Sequence, residues 1–301
     1  MSMSHKPKVI AIVGPTASGK TSLSIEIAKH VGGEVISADS RQVYRGMDLG
    51  TGKVTVEEMD GVPHHLLDVA DPMTIYTGSD FVRDGTAATE DILRRGHVPI
   101  IAGGTFFYVD LLRGKLSAAP VAPDADFRAT LERYSDTELL ELLEQKDPRR
   151  ASTIDPHNRR RLIRALEIIN TLGSVPESAQ QESPYDWLVL GIDIATEQLH
   201  HNIHARLHER ISEGMIKEVE RLHDEGVAWN RLEELGLEYR YIAQYLQGQL
   251  TRDEMIELLE TRIRQFAKRQ LTWLKRDEEI EWVAPEDREA IFRRVDTFLS
   301  E

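Results

Sequence analysis

The sequence predicts an α/β protein: a three-layer core on a parallel sheet, with a helical insertion. Three observations carry this. Short aliphatic runs of strand length alternate with segments of helical spacing, the βαβ pattern that places helices on both faces of a parallel sheet. The first run, Lys8 to Val13, leads through the octet Gly14-Pro15-Thr16-Ala17-Ser18-Gly19-Lys20-Thr21 directly into a helical segment. The alternation stops between Leu116 and Pro184, where prolines and short helical stretches replace it, and resumes at Trp187.

Each element has its own signal. The octet has the form G-x-x-x-x-G-K-T, whose glycines let successive backbone N–H groups converge on phosphate oxygens. Lys20 adds a mobile charge there, and the Thr21 hydroxyl can ligate a magnesium ion between two phosphates. The core is therefore expected to be P-loop NTPase-like, with nucleotide or another polyphosphate at the loop. Glu34 to Asp39 reads as a second strand, His65 to Val69 as a third, and Ser79 to Arg95 as a helix. Val98 to Ala102 is a fourth strand ending on Gly103-Gly104-Thr105. Helical stretches follow at Asp124 to Tyr134, at Asp136 to Gln145 and from Asn158. Trp187 to Ile194 is a buried strand, and Ile280 to Val283 a last short one. Between them, helices are expected at 197–212, 214–224, 239–246 and 252–275. Residues 1–115 and 185–301 are assigned to the core, and 116–184 to the insertion.

Composition narrows the class. The 301 residues include no cysteine, which excludes disulfides, thiolate chemistry and cysteine-bound zinc. No apolar run approaches the roughly 20 residues of a membrane span, and Met1 to Pro7 is short and polar, so a cytoplasmic protein is expected. A formal net charge of −14 opposes generic adhesion to DNA or RNA, which needs dense cationic surface.

Ligands of such sheets lie at the carboxyl ends of the strands. There, Asp39-Ser40-Arg41-Gln42-Val43-Tyr44 offers an acidic group facing the phosphate loop. Asp39 is suited to general-base work, and equally to capping a turn or holding magnesium through water. Gly103-Gly104-Thr105 permits close backbone approach and adds a hydroxyl, or is a tight turn with Thr105 as the N-cap. Two basic clusters interrupt the acidic background: Arg159 to Arg164, and Arg262 to Arg276 with six basic residues. Both suit a polyanionic partner, and both are also what a solvated helix face looks like. His200, His204 and His208 share one helix face, but without an H-E-x-x-H glutamate they read as polar packing. Arg206 and Arg210 on that helix could face a departing anion.

Gly14 to Thr21, Asp39 to Tyr44, Ile101 to Thr105, Arg161 to Glu167 and Gln265 to Leu274 together resemble the bacterial tRNA dimethylallyltransferases, nearly end to end. The resemblance implies transfer of a dimethylallyl group from dimethylallyl diphosphate to N6 of the adenine 3′ of the anticodon. Asp39 would be the general base, with Thr105 and Arg206 as its catalytic partners. Gly14, Pro15, Thr16, Ala17, Ser18, Gly19, Lys20 and Thr21 would hold the diphosphate, with Mg²⁺ on Thr21. The tRNA anticodon stem-loop would meet Asp39, Ser40, Arg41, Gln42, Thr105, Arg128, Arg160, Arg161, Leu162, Ile163 and Arg164, and the insertion would grip it. A monomer without DNA or membrane partners is expected. One departure is Glu238, where many members carry glycine before the tyrosine. The rivals are a small-molecule kinase with ATP at the loop, a prenyltransferase acting on free adenylate, and a non-catalytic RNA-binding module. The kinase explains the first forty residues equally well, but leaves both basic clusters and the insertion without a role.

Overall fold

The computed structural model describes residues 6–177 and 181–301. Among them, β1 (Lys8–Val13), β2 (Gly33–Ser37), β3 (His64–His65), β4 (Val98–Gly103), β5 (Asp186–Ile192) and β6 (Ile280–Val283) form a parallel sheet in the order β3-β2-β4-β1-β5-β6. β1 is fully buried from Val9 to Val13, as its uninterrupted aliphatic run requires. Ile10 and Ile12 pack on Leu23 and Ile27 of α1 (Lys20–Val31) and on Ile291, Val295 and Phe298 of α14 (Arg288–Ser300). The alternate residues of β1 point to the other face, where α3 (Gly78–Arg94) packs on β2 and β4, and α4 (Phe106–Leu112) packs on α3.

Register matters most for the site. Val13 lies opposite Gly103, and Ser37 opposite Ala102, so β1, β2 and β4 end together at one edge. The octet, Asp39 and Thr105 follow directly from those ends. Gly103 cannot be replaced there, since a Cβ would fall 2.1 Å from the Ala38 carbonyl oxygen.

Two parts of the core differ from the expectation. The third strand is cut to His64–His65, because Leu66 and Asp68 take left-handed backbone angles, φ 62° and 57°, that end a strand. Short helices α2 (Val56–Met59), α4 and α11 (Trp229–Glu234), and the longer α14, also form where no strong periodicity announced them. In α4 the run Phe106-Phe107-Tyr108-Val109 is too apolar throughout to show a helical stripe.

Between β5 and β6 the chain is helical: α9 (Thr196–Glu213), α10 (Met215–Asp224), α11, α12 (Leu237–Leu246) and α13 (Arg252–Leu274). Ile203, Leu207 and Ile211 of α9 and Leu259, Ile263 and Ala267 of α13 join Tyr44, Met47 and Tyr239 in one apolar cluster. No described helix is long and apolar enough to cross a membrane.

The chain divides into two compact units, Met1–Arg113 with Glu182–Glu301, and Gly114–Gln181. The second contains α5 (Ala125–Leu131), α6 (Asp136–Lys146), α7 (Pro148–Ala151) and α8 (Arg159–Leu172) around Leu139, Leu143, Leu162, Leu166 and Ile169. Asn158 starts α8 by accepting from the Arg161 N–H, and Gly173, at φ 85°, ends it.

Candidate active site

The octet forms a turn between β1 and α1 in which Ala17 (φ 61°) and Gly19 (φ 90°) are both left-handed. Such a turn aims its N–H groups inward, at the positive end of α1. The Lys20 ammonium folds back to donate to the Pro15 carbonyl at 2.6 Å. Burial lowers its pKa to about 8; nearby Asp39 pulls it up and Arg206 pushes it down. Ser18 Oγ is buried with no hydrogen-bond partner among the described residues. Buried hydroxyls are normally satisfied, and Thr21 adds an exposed hydroxyl at the same turn. These hard oxygen donors, beside inward N–H groups, fit a magnesium polyphosphate.

Asp39 stands across from this loop. Its Oδ1 accepts from the N–H groups of Arg41 at 2.8 Å and Gln42 at 3.4 Å, a local turn that fixes the carboxylate. Its Oδ2 makes no hydrogen bond among the described residues and lies beside Gly104, 3.8 Å from where a Cβ there would sit. Thr105 is the N-cap residue of α4, yet its side chain does not cap the helix. Instead Oγ1 accepts from the Ser40 N–H at 3.0 Å and donates to Ser40 Oγ at 3.3 Å. The hydroxyl is thereby held toward the Asp39 turn. The turn-capping alternative for Asp39 and the N-cap alternative for Thr105 thus come apart: Asp39 does order its own turn with one oxygen, whereas the Thr105 side chain does not cap α4.

Gln42 is committed to the scaffold, since its amide oxygen accepts from Ser37 Oγ at 3.0 Å and its nitrogen donates to the Gly52 carbonyl at 3.2 Å. Arg41 leans on the Glu234 carbonyl at 3.4 Å. Burial lowers the Arg41 pKa, with Tyr44 and Asp39 opposing the shift.

A cationic wall completes the site. Arg210 donates to the carbonyls of Leu49 and Gly50, while the Arg206 guanidinium has no hydrogen bond or ion pair among the described residues. Both guanidiniums reach Gly52: a Cβ there would lie 3.2 Å from Arg206 and 3.3 Å from Arg210. The loop that carries Gly52 is anchored by Glu218. Its carboxylate accepts from the N–H groups of Asp48, Leu49 and Gly50 and from the Tyr239 hydroxyl, all within 2.9 Å. Each such bond to a charged group contributes about 1.5–3 kcal/mol, so this loop is a fixed part of the wall. Glu238 pairs with Arg210 at 3.7 Å. Burial raises the Glu238 pKa; Arg210 opposes the shift and Asp39 adds to it.

Gln270 of α13 is a site residue that the sequence reading passed over. Its amide oxygen accepts from the Thr16 N–H at 2.9 Å, and its nitrogen donates to the Gly104 carbonyl at 2.8 Å. One side chain thus ties the phosphate loop to the turn beside Asp39, and the two bonds fix which way the amide faces. Gln270→Ala is expected to weaken diphosphate binding about three- to tenfold, since each neutral bond contributes about 0.5–1.5 kcal/mol. Calorimetric titration with pyrophosphate and Mg²⁺ checks it; an unchanged affinity would remove Gln270 from the site. The only sequence signal for it was its place within the Gln265 to Leu274 motif.

The insertion residues separate into two kinds. Arg128 and Arg164 both bind the Glu167 carboxylate, whose pKa of about 2 reflects their bonds and the Asp124 N–H overcoming burial. Arg159 is likewise engaged, with Glu132 and Asp136. Leu162 and Ile163 face the unit's core, so their side chains set the helix rather than offer contact. Arg160 and Arg161 are exposed and have no side-chain hydrogen bond or ion pair among the described residues.

Comparison with known proteins gives the same direction. The family described as IPP transferase matches residues 42–277, and that described as Isopentenyl transferase matches residues 7–74. The chain is 41% identical to the tRNA dimethylallyltransferase of Halalkalibacterium halodurans over 287 residues, covering 92% of this chain and 91% of that one. It is 43% identical over 292 residues to tRNA dimethylallyltransferase 2 of Treponema denticola, covering 94% and 98%. Among solved structures, the tRNA isopentenylpyrophosphate transferase of Bacillus halodurans superposes with a TM-score of 0.72 at 38% identity, covering 98% of this chain and 96% of that one. A eukaryotic dimethylallyltransferase described as acting on tRNA gives 0.81 at 28% identity, covering 98% and 80%. With a phosphate loop, an aspartate and a cationic wall at one sheet edge, and likeness of this extent, the chain belongs to the tRNA dimethylallyltransferase family.

Proposed function

We propose that the protein transfers the dimethylallyl group of dimethylallyl diphosphate to N6 of the adenine immediately 3′ of the anticodon in tRNA. Asp39 Oδ2, which makes no hydrogen bond among the described residues and lies beside Gly104, carries this reading, with Thr105 bonded to the adjoining Ser40 and Lys20 near enough to feel its charge. The N6 lone pair attacks the allylic carbon while the carbon–oxygen bond to the diphosphate breaks. The bonding electrons leave with the diphosphate, and the N6 proton passes to Asp39. Lys20 and Arg206 face the charge that grows on the leaving group, and Thr105 orients the adenine. The Thr21 hydroxyl would hold magnesium, which when bound would supply neutralisation of diphosphate charge.

The adenine must leave its stack to reach a site at a sheet edge, which is inexpensive in a single-stranded loop. Arg160 and Arg161, exposed and without side-chain partners among the described residues, are available for phosphate contacts on the stem-loop. The protein is read as a cytoplasmic monomer. A kinase or a free-adenylate prenyltransferase leaves those two arginines idle.

The test is label transfer from dimethylallyl diphosphate to an anticodon stem-loop. Transfer to the stem-loop that requires Mg²⁺ supports the reading; label on free AMP alone, or phosphate passing from ATP to a small acceptor, selects a rival. Arg160→Ala is expected to weaken stem-loop binding and reduce its salt dependence, without altering diphosphate affinity. Equal losses for both ligands would contradict a tRNA-specific role.

A further inference from the structure

The histidine row on α9 acquires in three dimensions the acidic partner that the sequence did not supply. His204 and His208 are one turn apart, with ring centroids 4.4 Å apart, and Glu260 of α13 reaches the same point. One ligand atom from each of the three lies within 4.8 Å of the other two. His204 Nδ1 is already 3.0 Å from Glu260 Oε2. Arg264 holds the other carboxylate oxygen, Oε1, and so sets the plane of the group from behind. His208 has no hydrogen bond or ion pair among the described residues; its one ring contact is with His204.

The backbone beneath these groups is fixed. Ile203 and Leu207 of α9 interlock with Leu259 and Ile263 of α13 in the buried cluster, so the spacing of the two helices does not depend on the polar groups above them. His200, the third histidine of the row, is outside the group.

We propose that His204, His208 and Glu260 form a surface site for one divalent transition-metal ion of the zinc class. Two imidazoles and a carboxylate are a borderline donor set that prefers Zn²⁺, Ni²⁺ or Co²⁺ to Mg²⁺, and three protein ligands leave further positions to water. At about 100° per residue, Arg206 projects from the side of α9 roughly opposite His204 and His208. The ion therefore does not compete for the diphosphate. It joins α9, which bears Arg206 and Arg210, to α13, which bears Gln270, and so fastens together the two helices that flank the phosphate loop.

The experiment is titration of the chelator-treated full chain with Zn²⁺ in excess Mg²⁺, followed by Co²⁺ absorption as a report on imidazole ligation. One Zn²⁺ per chain with micromolar affinity and a higher melting temperature is expected. His208→Ala and Glu260→Gln should each lose about ten- to hundredfold in zinc affinity, and His200→Ala should match the parent. Each variant's pyrophosphate affinity, read separately, establishes that it is folded. Absence of stoichiometric zinc binding, or binding that survives the His204→Ala, His208→Ala double variant, would overturn the proposal.

Discussion

Asp39→Asn is expected to lower prenyl transfer by about 10²–10⁴-fold, the usual contribution of a positioned general base, while diphosphate still binds. Asparagine keeps an oxygen to accept from the Arg41 and Gln42 N–H groups, so the turn survives. What it removes is the proton acceptor at Oδ2. Asp39→Ala removes both, and should lose at least as much activity together with some order in residues 40–42. The contrast separates the two duties of one carboxylate. Single-turnover rates with saturating stem-loop measure it, and near-parental turnover by the asparagine variant would sink the base assignment.

The second large effect concerns Lys20. Its pKa of about 8 in the free protein follows from burial and the Arg206 charge, against the pull of Asp39. A bound diphosphate must raise that value, because it adds negative charge beside the ammonium. The sign follows. Below pH 8 the lysine is charged both before and after binding, and affinity is flat. Above pH 8 the free lysine is neutral and must take up a proton to bind, so affinity falls by up to about tenfold per pH unit. Lys20→Ala should abolish that slope and slow transfer by about 10²–10³-fold through loss of charge opposite the leaving group. Pyrophosphate titrations between pH 7 and 9.5 read the slope directly. A parental profile that stays flat across this range would show that the ammonium is not buried as described.

Legibility in the sequence followed the range of the interactions. The octet, Asp39 and Thr105 could be read because each sits a few residues beyond a strand whose aliphatic run is unmistakable, and the parallel order then brings those ends together. Residue type offered both Arg206 and Arg210, and only the resemblance singled out Arg206, because nothing local says which face of α9 meets the phosphate loop. Gln270, Arg210 and Glu218 act across 254, 161 and 169 residues on Thr16, Leu49 and again Leu49, and no periodicity encodes such pairings. Charge counting also misled in a particular way. Arg159 and Arg164 contribute to a basic cluster on paper but are neutralised within the unit by Glu132, Asp136 and Glu167, the last of which also binds Arg128. Composition sees the cation and not its partner.

The tie between Thr16 and Gln270 also bears on how the protein is made. The amide that braces the phosphate loop is synthesised 254 residues after the loop itself. At usual elongation rates that interval is on the order of tens of seconds. Within it β5, α9 and α13 are made in that order, and α13, which carries the amide, comes last of the three. A nascent chain can thus hold its magnesium and phosphate ligands long before it holds the groups that make them productive. Competence for chemistry arrives only once α9 and α13 have been made.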